Sequence, residues 1–161
     1  MSAILKTPEL RSGGLWQTCL LSYATALFLS FCLLVVADSI ALQFDIVMSD
    51  PPSRSATLAE FFGTIFFAPV LETLLVGLTI KALSRFFHRP FVIASISALI
   101  FGGAHGLVAV SWFFGTVCSF FAYSYAYVYW SSRSLRKAYV AACAPHMLIN
   151  LTAMTLVCLG N

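Results

Sequence analysis

Residues 15–37 pass without a single charged side chain. About 20 apolar residues cross the hydrocarbon core of a bilayer as a helix. Lipid offers no water to an unpaired backbone group, so a run of this length is constrained to be helical there. A secretory leader has a shorter apolar core, roughly 7–15 residues, and ends at a small-residue cleavage site. Val35-Val36-Ala37-Asp38 is a poor match to such a site, so a retained first helix is expected. The rest of the chain has the same character. Of its 161 residues, 60% are hydrophobic and 9% charged, against roughly 25% charged in soluble domains. Mean hydropathy is +0.92. The partner this composition implies is the lipid bilayer. No basic stretch interleaved with aromatics is present, so no nucleic-acid partner is expected.

Punctuation divides the remainder. Asp50-Pro51-Pro52 cannot continue a helix, which places a polar loop over residues 43–57. A second helix follows over 58–83, with Pro69 inside it as a kink site. Pro90 suits a first helical turn and opens a third helix, to about residue 108. A fourth is expected over 111–130 and a fifth over 138–159. The fold class expected is all-α, a polytopic transmembrane helix bundle of about five spans. Residues 1–14 form a cytoplasmic N-terminal lead, and residues 15–161 form a single transmembrane domain.

Loop charges orient the bundle. Lys6 and Arg11, then Lys81, Arg85 and Arg89, then Arg133, Arg136 and Lys137 fall on one side. Asp38, Asp45 and Asp50 fall on the other, with Arg54 the exception. Positive loops stay in the cytoplasm, so the N-terminus is expected inside and the C-terminus outside, in a bacterial inner membrane. The fourth helix is rich in aromatics and carries Ser111, Gly115 and Ser119 at four-residue spacing. It is expected to pack closely and face lipid, with Trp112 and Trp130 at the interfaces. The five cysteines lie in apolar stretches and form no C-x-x-C pair, so they read as small buried hydrophobes.

Against this background four polar residues stand out: Glu72, His105, His146 and Asn150. Ionisable groups at membrane depth are expensive and mark function by default. His146 and Asn150 are four residues apart and share one helix face, as do Phe101 and His105. Gly102, Gly103 and Gly106 strip bulk from around His105, so another helix or a substrate backbone can approach. A buried glutamate with an imidazole neighbour can take a proton from water near neutral pH. Two donors one turn apart can hold an oxyanion. The chemistry expected is hydrolysis by activated water, on a membrane-associated peptide or protein.

Other readings use the same residues. Intramembrane His and Asn also serve as interhelical hydrogen bonds, and a proton-relay carboxylate also suits a transporter. One Glu and two His can bind catalytic zinc. The H-E-x-x-H helix is absent, however, and Asn150 is a poor zinc ligand, so no cofactor is expected and zinc is not favoured. Helix rise places Glu72 roughly 13 Å from the cytoplasmic end of its helix and His105 roughly 20 Å from its own. A shared site therefore requires the bundle to bridge that offset.

The three motifs together resemble the CPBP family, the CAAX proteases and bacteriocin-processing enzymes also called Abi proteins. That family carries Glu-Glu-x-x-x-Arg, then Phe-x-x-x-His, then His-x-x-x-Asn on successive helices. Phe101 and His105 match the second motif, and His146 and Asn150 the third. Glu72 stands at the first Glu, while Thr73 replaces the second and Gly77 stands at the Arg position. The resemblance covers about residues 58–152. It implies a glutamate-dependent membrane endopeptidase, with Glu72 and His105 activating water and His146 and Asn150 forming an oxyanion pocket. The alternative it implies is a non-catalytic scaffold or bacteriocin-immunity protein on the same fold.

Overall fold

The computed structural model describes residues 14–49 and 57–160. The N-terminal lead and most of the Pro51-Pro52 loop lie outside the described residues. Five helical rods account for almost everything else: α1 Leu15–Gln43, α2 Leu58–Leu83, α3 Pro90–Gly106, α4 Val110–Ser131 and α5 Leu135–Gly160. The protein is an all-helical bundle and an integral membrane protein. The stretch from Asp38 to Gln43 continues α1 by more than a turn beyond the expected boundary. Likewise α5 begins one turn early, at Leu135.

Three rods, α1, α2 and α5, are long and apolar enough to cross a membrane, and α3 is a shorter apolar helix. The surface is oily throughout. Trp16, Leu21, Phe28, Phe31, Leu78 and Phe91 are all exposed, an arrangement that lipid stabilises and water would not.

α4 differs from its neighbours because it is the centre of the bundle. It packs on α1, α3 and α5 and buries Ser119, Phe120, Tyr123, Ser124, Ala126 and Val128. Expectation and structure part here. α4 does pack closely, but it does not chiefly face lipid. Trp130 is buried, with its indole N–H donating to Thr18 Oγ1 at 3.1 Å. Trp112, two residues into α4, lines a cavity between the helices.

Small residues bring the helices together. α1 presents Cys19, Ser22, Ala26, Ser30 and Ala37 along its buried stripe. Gly102 and Gly106 of α3 meet Val117 and Phe113 of α4 so closely that an added Cβ would lie 2.9 Å from each side chain. By contrast, Gly103 and Gly115 have open space at their Cβ positions. Hydroxyls stitch the same contacts: Ser30 with Ser119, and Ser124 with Ser97, both at 2.9 Å. In bilayers such bonds average about 0.6 kcal/mol each. The cysteines are free thiols within the apolar segments.

Candidate active site

α2 is not a uniform helix. Residues Gly63–Phe67 form a π turn, flanked by α-helix over Leu58–Phe62 and Ala68–Leu83. In the π register the Ala68 N–H reaches back five residues to the Gly63 carbonyl. The next carbonyl in that register, Thr64's, faces residue 69, which is proline and has no N–H to give. Asn150 supplies a donor instead: its Nδ2 lies 2.8 Å from the Thr64 oxygen. A backbone defect in α2 is thus filled by a side chain of α5. Nearer the start of α5, the Tyr139 hydroxyl donates to Val70 O at 2.9 Å. On α5 the two clasping residues lie either side of His146, and on α2 both clasped carbonyls precede Glu72, which follows the π turn by five residues.

Glu72 meets His146 across the α2–α5 junction, Oε2 to Nε2, at 3.5 Å. The histidine side chain is 7% exposed and the glutamate side chain 25%, and the Oε2 that faces His146 is itself buried. His146 is held from the other side by α4. Tyr123 stacks on it nearly parallel, 4.8 Å between ring centres at 20°.

His105 comes from the last turn of α3. Its Nδ1 lies 2.9 Å from the Phe101 carbonyl of the preceding turn. A carbonyl oxygen can only accept, so Nδ1 carries the hydrogen and the neutral ring offers Nε2 as a lone pair. The Phe-x-x-x-His spacing therefore works through the Phe101 backbone, not its ring. That ring stacks instead on Phe120, 5.2 Å away. Phe120, fully buried, stands between the histidines, 5.2 Å from the His105 ring and 5.5 Å from the His146 ring.

All four expected residues line one cavity of about 510 Å³, together with Thr64, Trp112, Thr116, Tyr123 and Met154. The depth offset between Glu72 and His105 is accommodated because the cavity runs along the helices. α3 ends at Gly106, so His105 sits on the upper wall while Glu72 and His146 lie near the floor.

The glycines near His105 divide between two tasks. Gly102 and Gly106 admit α4, while Gly103 has no such neighbour. Sequence reading missed Tyr123 and Phe120, which looked like two more aromatics of α4. Their four- and one-residue offsets from Ser119 were the available signal, since Ser119 belonged to the small-residue stripe. Among the described residues no group of three or more His, Cys, Asp or Glu side chains is arranged to hold a metal ion.

The two motif departures have structural counterparts. Thr73 is buried. At Gly77 an added Cβ would lie 2.6 Å from the Tyr127 hydroxyl, so α4 occupies the room that a side chain there would need.

A model of the family described as type II CAAX prenyl endopeptidase Rce1-like matches residues 54–152, more than half of the chain. That interval contains every cavity residue named above except Met154. No curated protein and no solved structure matches the chain.

Proposed function

This chain belongs to the Rce1-like CAAX prenyl endopeptidase family, and on that footing we propose that it hydrolyses a peptide bond of a membrane-associated substrate with water activated by Glu72 and His105. The observation that carries the reading is the convergence of Glu72, His105 and His146 on one cavity, with Glu72 and His146 3.5 Å apart. Glu72 takes a proton from the water, and the oxygen adds to the substrate carbonyl carbon. The carbonyl becomes an oxyanion, which accepts hydrogen bonds from His146 and Asn150. An amide nitrogen has two N–H groups, so Asn150 can serve Thr64 and the oxyanion together. Collapse breaks the C–N bond, and the proton that Glu72 took from the water passes to the leaving amine by way of the His105 Nε2 lone pair, which leaves Glu72 a carboxylate again. The scheme uses neither a protein nucleophile nor a cofactor. In cells, the N-terminus and the basic loops lie on the cytoplasmic side of a bacterial inner membrane.

The test uses the full chain in proteoliposomes and a panel of quenched, membrane-anchored peptides. Glu72→Gln and His105→Ala each lower cleavage by about 10²–10⁴-fold, the usual worth of general acid–base catalysis. Insertion and thermal midpoint stay unchanged. Equal cleavage by the Glu72→Gln variant overturns the reading and favours the scaffold or immunity role.

A further inference from the structure

The cavity is one-sided. Four of the helices line it from the same end: Thr64 and Ala68 from the first half of α2 with Glu72 just past its middle, His105 from the end of α3, Trp112 to Phe120 from the first half of α4 with Tyr123 just past its middle, and Ile149 to Val157 from the second half of α5 with His146 just before it. Glu72, Tyr123 and His146 lie at mid-depth and form the floor. Thr64, Trp112 and Val157 stand towards the end where α2 and α4 begin and α5 finishes.

Charge separates along the same axis. Among the described residues, Lys81, Arg85, Arg89, Arg133, Arg136 and Lys137 all cluster at the end opposite the cavity. Arg133 lies over the Tyr129 ring at 4.7 Å, and Lys137 over Trp130 at 5.5 Å. The cavity end holds the acids Asp38, Asp45 and Glu60. Glu60 is one turn from the cavity residue Thr64. The segment carrying Asp45 is tied to the start of α4, where Ser49 Oγ accepts from the Val110 N–H at 2.9 Å.

Resting on the peptidase reading above, we infer that the cavity opens to the extracytoplasmic face. The substrate is then the extracytoplasmic, membrane-proximal segment of a membrane-bound or exported peptide, and not a lipidated cytoplasmic tail. Basic loops are retained in the cytoplasm, so the end bearing six cations is the inner one and the mouth points outward. The cytoplasmic half of the bundle is closed beneath Glu72 by Val76, Ile80, Ile93, Val128 and Ala142, all buried.

The experiment reads access and needs no catalysis, so its failure is distinct from failure of the peptidase reading. Single cysteines are placed at Thr116→Cys in the cavity wall and Ser132→Cys in the basic loop, with the five native cysteines replaced. A membrane-impermeant maleimide is applied to intact spheroplasts and to permeabilised ones. Thr116→Cys labels to the same extent in both, and Ser132→Cys labels only after permeabilisation. Alkaline phosphatase fused after Asn161 of the native-cysteine chain is active, an independent readout should the replaced background fail to insert. Labelling of Thr116→Cys only after permeabilisation, or an inactive fusion, overturns the inference.

Discussion

The Asn150 side chain donates to the Thr64 carbonyl at 2.8 Å, across the junction of α5 and α2. That carbonyl is available because α2 passes through a π turn and the residue five positions on is Pro69. A helix defect and a distant amide complete one another. π turns inside α-helices are frequent at functional sites; here the turn sits directly before the carboxylate at the cavity floor.

This coupling makes a specific prediction. Asn150→Ala removes the donor and costs about 1 kcal/mol, the net worth of a typical hydrogen bond. Pro69→Ala restores a backbone N–H, so Asn150→Ala costs less in that background. A double-mutant cycle on thermal unfolding in detergent reads the difference. Cleavage is not restored in the double variant, because the second Asn150 N–H is still missing. Additive stabilities would show that the two residues are not coupled.

Tyr123 governs His146 by stacking. Tyr123→Phe retains the ring and keeps both stability and cleavage near wild type. Tyr123→Ala removes the ring and leaves a void, at about 3–5 kcal/mol on the scale of buried aromatic truncations. Thermal midpoint and cleavage rate measured on the same preparations distinguish the two. A Phe variant as damaged as the Ala variant would refute stacking as the operative contact.

Gly77 is occupied from outside. Gly77→Ala drives a Cβ into the Tyr127 hydroxyl and costs about 1–3 kcal/mol, typical of overpacking. Tyr127→Phe removes the nearest atom and recovers part of the loss. Gly77→Arg, which restores only the arginine of the family's first motif, yields little inserted protein. Yield in the membrane fraction and thermal midpoint report both effects.

The Ser97–Ser124 pair joins α3 to α4 inside the bundle. Ser124→Ala alone leaves the Ser97 hydroxyl buried without this partner and is destabilising. Removing both hydroxyls is closer to neutral, since the larger cost lies in leaving one partner unsatisfied. Equilibrium unfolding of the two single variants and the double variant gives the coupling, expected at about 0.6 kcal/mol.

Much of this protein was legible without coordinates. Apolar runs between prolines and basic loops located all five helices, because bilayer thickness sets their length and backbone satisfaction makes them helical. Glu72, His105, His146 and Asn150 were conspicuous because polar groups are costly where they stand. What local reading could not supply was the environment of α4. Its tyrosines, serines and tryptophans suit an interface and a bundle centre equally well, and only packing against α1, α3 and α5 selects the centre.

The sequence by itself determined the membrane class, the helices and which polar side chains stand inside the apolar segments, since each follows from periodicity, length and desolvation cost within one segment. Tertiary structure alone decided that Tyr123 and Phe120 brace the histidines, that Asn150 completes the π turn and that the cavity occupies one end of the bundle. Those outcomes depend on how helices distant in sequence cross. Crossing is set by where small residues let backbones approach, as at Gly102 and Gly106, and no single helix encodes its partner's position.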